Sequence, residues 1–226
     1  MKRHPYDQWA PDARALDLVG DKWTLLIIRD LAGGPRRFVE LQRVLPGISM
    51  EQLRSRLNRM VADGLLTRQR YREVPPRVDY ELTERAQELM PVLGALARWG
   101  HDWAWGVPRE GEAIDVGAIF RLAPGLLSAA RSLRGTTELV VTDRLKDGST
   151  CHYTLVTSSG RVQIFERPSP DAEARVTADE ATWVRALGPD ADRGGLAVEG
   201  DGRLAEALLD GLVGSGGESA VGSAAA

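Results

Sequence analysis

The chain has 226 residues, 43% of them hydrophobic, which is enough for one large domain or for two domains of about 100 residues each. It has no run of about 18 apolar residues and only one cysteine, Cys151, which excludes a membrane-spanning helix and an intramolecular disulfide framework. The stretch MKRHPYDQWAPD has no apolar segment of the secretory type, so we expect a cytoplasmic protein with no membrane partner.

The net charge of −3 is divided unevenly along the chain. Residues 1–106 carry 17 Lys and Arg residues against 14 Asp and Glu residues, whereas residues 107–226 carry 12 against 18. The window 36–77 alone holds ten arginines and four acidic residues. A local basic surface beside an acidic remainder is typical of a DNA-binding protein, although a solvated face would give the same window.

Three short helices are predicted at the start of the chain. Residues 12–19 form the first, with Asp12 as a possible N-cap. Residues 21–32 form the second, and the run Gly33-Gly34-Pro35 ends it. Residues 37–45 form the third.

A fourth helix and a hairpin follow. Ser49 and Gln52 have the spacing of a capping box, and Asp63-Gly64 ends the helix that they begin. Residues 66–72 and 77–82 are predicted strands, with Pro75-Pro76 at the hairpin tip. Their alternation predicts a buried face of Val78, Tyr80 and Leu82 and a solvent-exposed face of Arg77, Asp79 and Glu81.

Residues 84–105 are predicted to form one long helix with an apolar stripe. The stripe is a candidate dimer surface, and the alternative is packing on the first helix. Its candidate dimerisation residues are Leu89, Leu93, Leu96, Trp99 and Trp103.

The segment GVPREG at 106–111 is the predicted domain boundary, because the pattern changes after it. We expect domains at 1–106 and 112–213, and a disordered Gly/Ser/Ala-rich tail at 214–226. In the second domain, helices at 114–133, 179–187 and 201–213 and strands at 136–144, 150–158, 161–167, 173–177 and 196–199 are predicted.

The first half resembles the HxlR-type regulators, a branch of the MarR-like winged-helix repressors. The segments RALDLVGDKWTLLIIRDLAGGPRRFVEL, LPGIS, LRSRL, DGLLTRQRYREVPPRVDYELT and LMPVLGALARWG carry the resemblance across almost all of residues 10–105. It implies a homodimer on a pseudo-palindromic double-stranded DNA operator, with 49–62 as recognition helix and 66–82 as wing. Some members sense oxidants through a cysteine that precedes a proline, but Ala10 stands there in this chain.

A helix followed by a basic hairpin can grip duplex DNA, because the helix fits the major groove while arginines reach phosphates and base edges. Arg56 has an alternative role as a structural ion-pair partner of Glu40 or Asp63. The candidate DNA-binding residues are Arg37, Ser49, Gln52, Arg54, Ser55, Arg56, Arg59, Arg68, Arg70, Arg72 and Arg77.

The second half resembles a sterol carrier protein-like domain. The three-strand meander, RVTADEATWVRAL and GGLAVEGDGRLAEALLDGL carry this resemblance. It implies an α+β fold with a curved antiparallel sheet around an apolar tunnel, and a hydrophobic small-molecule effector. Candidate ligand-binding residues, each of which could instead be core, are Phe120, Leu126, Tyr153, Phe165 and Trp183.

The sequence gives little support to the hypothesis that the protein is an enzyme. His4, His101 and His152 have no metal-ligand spacing, so we expect no metal, no cofactor and no catalytic residues. Cys151 and His152 point to opposite faces of a predicted strand, which favours packing for the cysteine over a reactive thiol. We therefore expect an α+β protein that is a ligand-responsive transcriptional regulator, most simply a repressor. The alternative is a carrier of hydrophobic ligands whose first half serves only dimerisation.

Overall fold

The computed structural model describes residues 5–72, 76–127, 133–142 and 149–213. The chain divides into two compact units, Met1–Leu93 and Gly94–Ala226. Four predicted features lie wholly or partly outside the described residues: the disordered tail, Pro75 at the hairpin tip, and parts of the predicted segments 114–133 and 136–144. None of the described helices is long and apolar enough to cross a membrane.

The first unit is helical with a small sheet. Its elements are α1 (Pro11–Val19), α2 (Thr24–Leu31), β1 (Arg36–Arg37), α3 (Phe38–Val44), α4 (Met50–Ala62), β2 (Leu66–Tyr71), β3 (Arg77–Leu82), α5 (Glu84–Gln87) and the start of α6 (Met90–Trp103). The sheet has the order β1-β3-β2, and both pairs are antiparallel. Its core is built from helix faces and from the end of the hairpin, through Ile27, Ile28, Leu31, Leu41, Leu53, Leu57, Met60, Tyr80 and Leu82.

Two local predictions about this unit are wrong. Ala10, not Asp12, occupies the N-cap of α1, because Pro11 supplies the first helical residue and places Asp12 in the first turn. The predicted long helix 84–105 is two helices, α5 and α6, since Glu88 caps α5 before α6 begins.

The second unit contains the rest of α6, followed by a sheet with helices. Its further elements are α7 (Val116–Phe120), α8 (Ala123–Leu126), β4 (Gly135–Thr142), β5 (Cys151–Ser158), β6 (Arg161–Phe165), β7 (Ala174–Asp179), α9 (Glu180–Leu187), β8 (Ala197–Gly200) and α10 (Gly202–Leu212). Asp179 and Asp201 cap α9 and α10 by accepting backbone N–H groups of their first turns.

The prediction of an antiparallel sheet is wrong at one pair of strands. The five strands have the order β6-β5-β4-β7-β8, and β7 runs parallel to β4. The reason is the connection after β6, which carries the chain back to the free edge of β4, so that β7 enters in the direction of β4. The sheet is therefore mixed.

One face of this sheet packs on helices. Leu139 and Val141 of β4, Leu155 of β5 and Val176 of β7 are fully buried on it. Phe120 of α7 contacts two aromatic rings edge-on, Tyr153 of β5 at 5.1 Å and Trp183 of α9 at 4.9 Å between ring centroids. We call this the helix-covered face.

Candidate nucleic-acid interface

Helix α4 presents a polar face opposite its buried one. Leu53, Leu57 and Met60 are buried, whereas Glu51, Gln52, Arg54, Ser55 and Asn58 are exposed. The predicted capping box is present: Ser49 Oγ accepts from Gln52 N at 3.1 Å, and Gln52 Oε1 accepts from Ser49 N at 3.2 Å. The helix is thus held at its start and leaves a polar surface facing outward.

The β2–β3 hairpin places two arginines beside that surface. Cross-strand pairing sets Arg68 opposite Tyr80 and Arg70 opposite Val78, so both arginines share the face of β2 that carries Leu66. Arg68 Nη1 also lies 3.5 Å from Asn58 Oδ1 of α4. The hairpin arginines and the exposed face of α4 therefore adjoin.

The candidate arginines fall into two groups by their partners. Arg54, Arg68, Arg70 and Arg72 are exposed and have no carboxylate partner among the described residues. Such guanidinium groups can bind phosphate oxygens without first breaking an ion pair.

Two arginines of α4 are paired instead. Arg56 Nη1 lies 3.0 Å from Asp21 Oδ2, and Arg59 Nε lies 3.2 Å from Asp63 Oδ2. Asp21 also accepts the N–H groups of Trp23 and Thr24 at the start of α2. Arg56 therefore joins α4 to the beginning of α2, with a partner other than the predicted Glu40 or Asp63.

Asp79 organises a further pair of candidate arginines. Its carboxylate is buried, contrary to the predicted exposed face, and accepts from Arg77 Nε at 2.9 Å and Nη2 at 2.6 Å. Arg37 Nε lies 4.0 Å away because β1 pairs with β3 and sets Arg37 opposite Asp79. The Arg77 hydrogen bonds outweigh burial and, with the charges of both arginines, lower the pKa of Asp79.

The predicted dimer stripe divides between core and surface. Leu93 is buried, so its assignment to a dimer surface is wrong: it packs within its own chain. Leu89 is half-buried. Leu96, Trp99 and Trp103 are 51%, 59% and 77% exposed and lie on one side of α6, continuing from Val92.

Sequence reasoning missed one aromatic side chain of the first unit. Trp9 is 98% exposed and precedes α1. It stands outside any periodic pattern, so no spacing could mark it. A single exposed apolar side chain is common on protein surfaces, so the exposure of Trp9 does not by itself assign it a partner.

The predicted ligand residues do not line a tunnel among the described residues. Phe120 packs edge-on against both Tyr153 and Trp183, and Trp183 Nε1 donates to the carbonyl of Val140 at 3.0 Å. Leu126 is buried. Burial raises the pKa of Tyr153 to about 12. Phe165 is the exception, since it lines a separate cleft.

A charged cluster in the second unit surrounds the buried Glu138. His152 Nδ1 lies 2.8 Å from Glu138 Oε1, and Arg175 Nε donates to Oε2 at 2.8 Å. Burial by itself would raise the pKa of Glu138, but the hydrogen bonds from Arg175 and His152 lower it. Within the described ranges, no group of three or more His, Cys, Asp or Glu side chains could hold a metal ion.

Comparison with known proteins gives the first half a family. The family model described as "HxlR-like helix-turn-helix" matches residues 18–106. An uncharacterized HTH-type transcriptional regulator from Synechocystis sp. is 42% identical over 93 residues, 41% of this chain and 69% of the relative. YkvN of Bacillus subtilis is 38% identical over 96 residues, 42% of this chain and 81% of the relative. A third such regulator, from Halalkalibacterium halodurans, is 44% identical over 94 residues, 41% of this chain and 83% of the relative.

Proposed function

Because this chain belongs to the HxlR-like helix-turn-helix regulators, we propose that it is a ligand-responsive repressor that binds a pseudo-palindromic operator as a homodimer. The family makes it a DNA-binding transcriptional regulator. A group of exposed arginines on and beside α4 supports the finer proposal. None of them has a carboxylate partner among the described residues, and they are Arg54, Arg68, Arg70 and Arg72.

In this proposal α4 enters the major groove and the hairpin lies on the flanking backbone. Ser55 and Arg54 are on the exposed side of α4, where side chains reach base edges in helix-turn-helix proteins. Ser49 and Gln52 are at its N-terminus, where backbone N–H groups favour a phosphate. Arg70 and Arg72 then contact phosphates from the hairpin.

Arg37, Arg56, Arg59 and Arg77 have a different weight. Each has an acidic partner, so binding a phosphate would first require that ion pair to loosen. We assign Arg56 and Arg77 mainly to positioning α4 and the hairpin. Arg59 and Arg37, which are 39% and 49% exposed, can still reach DNA in addition to their carboxylates.

The stripe of Leu96, Trp99 and Trp103 supports the dimer. A two-fold dimer buries the same patch of both copies and sets two recognition helices about 34 Å apart, one turn of B-DNA. Exposed indoles on one side of a helix provide the apolar area that such an interface needs.

The second unit supports the response to a ligand. DNA binding and dimerisation do not need a second unit of this size. Its sheet with helices on one face agrees with the sterol carrier-like resemblance. Ala10 leaves the chain without the thiol that some members use as a sensor. A hydrophobic effector in this unit is therefore the simplest trigger, and a tenfold loss of operator affinity needs a coupling of only about 1.4 kcal/mol.

Fluorescence anisotropy with a labelled duplex from the upstream region of the gene tests the DNA-binding part. We expect tight binding to this duplex, weak binding to a shuffled duplex, and a loss of about tenfold or more in the double variant Arg54→Gln/Arg70→Gln. The control Arg161→Gln/Arg203→Gln removes the same charge from exposed sites in the second unit and should bind normally.

Equal loss in both double variants would reduce the effect to net charge and overturn the assigned interface. Equal weak binding of both duplexes by the wild-type protein would favour the carrier alternative. A promoter-reporter assay then tests repression, since reporter expression should rise when the gene is deleted.

A further inference from the structure

We infer that the effector binds in a cleft on the second face of the five-stranded sheet and is a small monoanion with an apolar body. The role of this cleft as the effector site rests on the proposed ligand response. The cleft is distinct from the aromatic cluster formed by Phe120, Tyr153 and Trp183. That cluster is filled by its own rings, which leaves no room between them for a ligand.

The cleft lies on the face opposite Tyr153 and Leu155. Thr154 and Val156 alternate with those two residues along β5, so their side chains point the other way. Thr136 pairs with Val156, and Phe165 pairs with Thr154, which puts all four side chains in one patch. This patch is the floor of a cleft of about 480 Å³.

The connection between β6 and β7 forms the wall of the cleft. It runs through Arg167, Pro168, Ser169, Pro170 and Asp171, all of which line the space. Two prolines in five residues restrict the backbone, so the wall is stiff for a loop.

Hydrogen bonds tie both ends of this wall to the sheet. Thr154 Oγ1 donates to the carbonyl of Arg167 at 2.7 Å. At the far end, Glu173 N donates to the carbonyl of Thr136 at 2.8 Å, and Thr136 N donates to Glu173 Oε1 at 3.0 Å. A cleft with a fixed wall loses little entropy when a ligand enters.

The side chains of the cleft select the class of ligand. Arg167 is exposed, lies 4.8 Å from the centroid of the Phe165 ring, and has no carboxylate partner among the described residues. A guanidinium beside Val156, Phe165 and Pro168 suits an anionic group that carries an apolar body. Among the residues that line the cleft, Arg167 is the one cation and Asp171 the one acid. A single negative charge on the ligand can therefore pair with Arg167, whereas a second one would find no cation and would be repelled by Asp171.

The volume also limits the size of the ligand. Small-molecule sites span about 300–1,000 Å³, so this cleft lies at the lower end and suits a six-carbon acid better than a long acyl chain. Hexanoate has the required single charge and apolar body. Hexanamide is its neutral counterpart, and adipate is the dianion of the same length.

Isothermal titration calorimetry of the 226-residue protein with these three compounds tests the inference. We expect hexanoate to bind about tenfold more tightly than hexanamide or adipate, since a charge-assisted hydrogen bond accounts for a difference of that size. Arg167→Gln should remove the preference for hexanoate over hexanamide. Arg203→Gln, an exposed arginine on α10, should keep it.

Val156→Trp gives a second test, because a large side chain on the floor would fill the cleft. It should abolish binding of all three compounds while the melting temperature shows that the protein is folded. Absence of saturable hexanoate binding at millimolar concentration, or an unchanged preference in Arg167→Gln, would overturn the assignment of the cleft.

Operator binding measured on the same samples separates this inference from the proposed function. If operator binding is normal and hexanoate does not bind, only the cleft assignment fails. If hexanoate binds as expected and operator affinity does not change, the cleft holds a ligand and the regulatory proposal fails.

Discussion

Replacing Arg70 with alanine should weaken operator binding in a way that depends on salt. Arg70 lies in β2 opposite Val78, is exposed, and has no carboxylate partner among the described residues. The proposed homodimer carries two copies of Arg70, so the substitution would remove two of the proposed phosphate contacts. The slope of log affinity against log salt concentration should then fall by about 1.8.

This change in slope predicts how the defect varies with salt. Between about 50 and 200 mM salt, a slope difference of 1.8 corresponds to about a twelvefold change in relative affinity. The defect of Arg70→Ala should therefore be largest at low salt and shrink about twelvefold across that range. Anisotropy titrations at four or five salt concentrations measure it.

Arg56→Ala is the matched control on the neighbouring helix. Its guanidinium is bound to Asp21, so its loss should lower affinity by loosening α4 while the salt slope stays unchanged. Arg70 makes no phosphate contact of its own if Arg70→Ala leaves both affinity and slope unchanged, or if Arg56→Ala lowers the slope as much as Arg70→Ala does.

Three further predictions concern stability and assembly. Asp79→Asn should lower the free energy of unfolding by about 1–3 kcal/mol at neutral pH, and the gap to wild type in urea melts should narrow as pH falls below about 4. This sign follows from the lowered pKa of Asp79, whose stabilising charge is lost as pH falls; a gap that widens in acid contradicts it. Gly117→Ala should lower the melting temperature because its Cβ would overlap the Tyr153 hydroxyl, whereas Gly202→Ala, with open space around it, should not. Trp99→Asp should yield monomers in light scattering that still unfold cooperatively on heating, and a dimer that persists would exclude this stripe from the interface.

The local features of the first unit could be predicted from the sequence. Apolar spacing located α2, α3 and α4 to within a few residues, and the Ser49–Gln52 spacing identified a capping box that the structure contains. These features depend on neighbours three or four positions apart, which are visible in a linear chain.

The features that were missed depend on distant pairs. The alternation of β3 predicted an exposed Asp79, but β1 brings Arg37 across from it and covers the carboxylate. Arg56 finds Asp21, 35 positions away, rather than an acid near its own helix. Whether an arginine is free for DNA is therefore decided by tertiary contacts.

The same limit applies to the ligand site. Aromatic residues of the second half were candidates for lining a tunnel, and Phe120 and Trp183 instead fill the space around each other. A sequence shows that a side chain is large and apolar, but only packing decides whether it borders a void. Arg167 and its neighbours, which border a cleft, carry no motif.

The parallel pairing of β7 with β4 predicts an order for the folding of the second unit. Strands β4, β5 and β6 follow one another closely and pair as neighbours, so they can assemble early. Val176 meets Leu139 only after the connection beyond β6 has crossed back, which costs more chain entropy. Until β7 arrives, the inner edge of β4 stays unpaired, and this edge is where a nascent chain would be most prone to join a second copy.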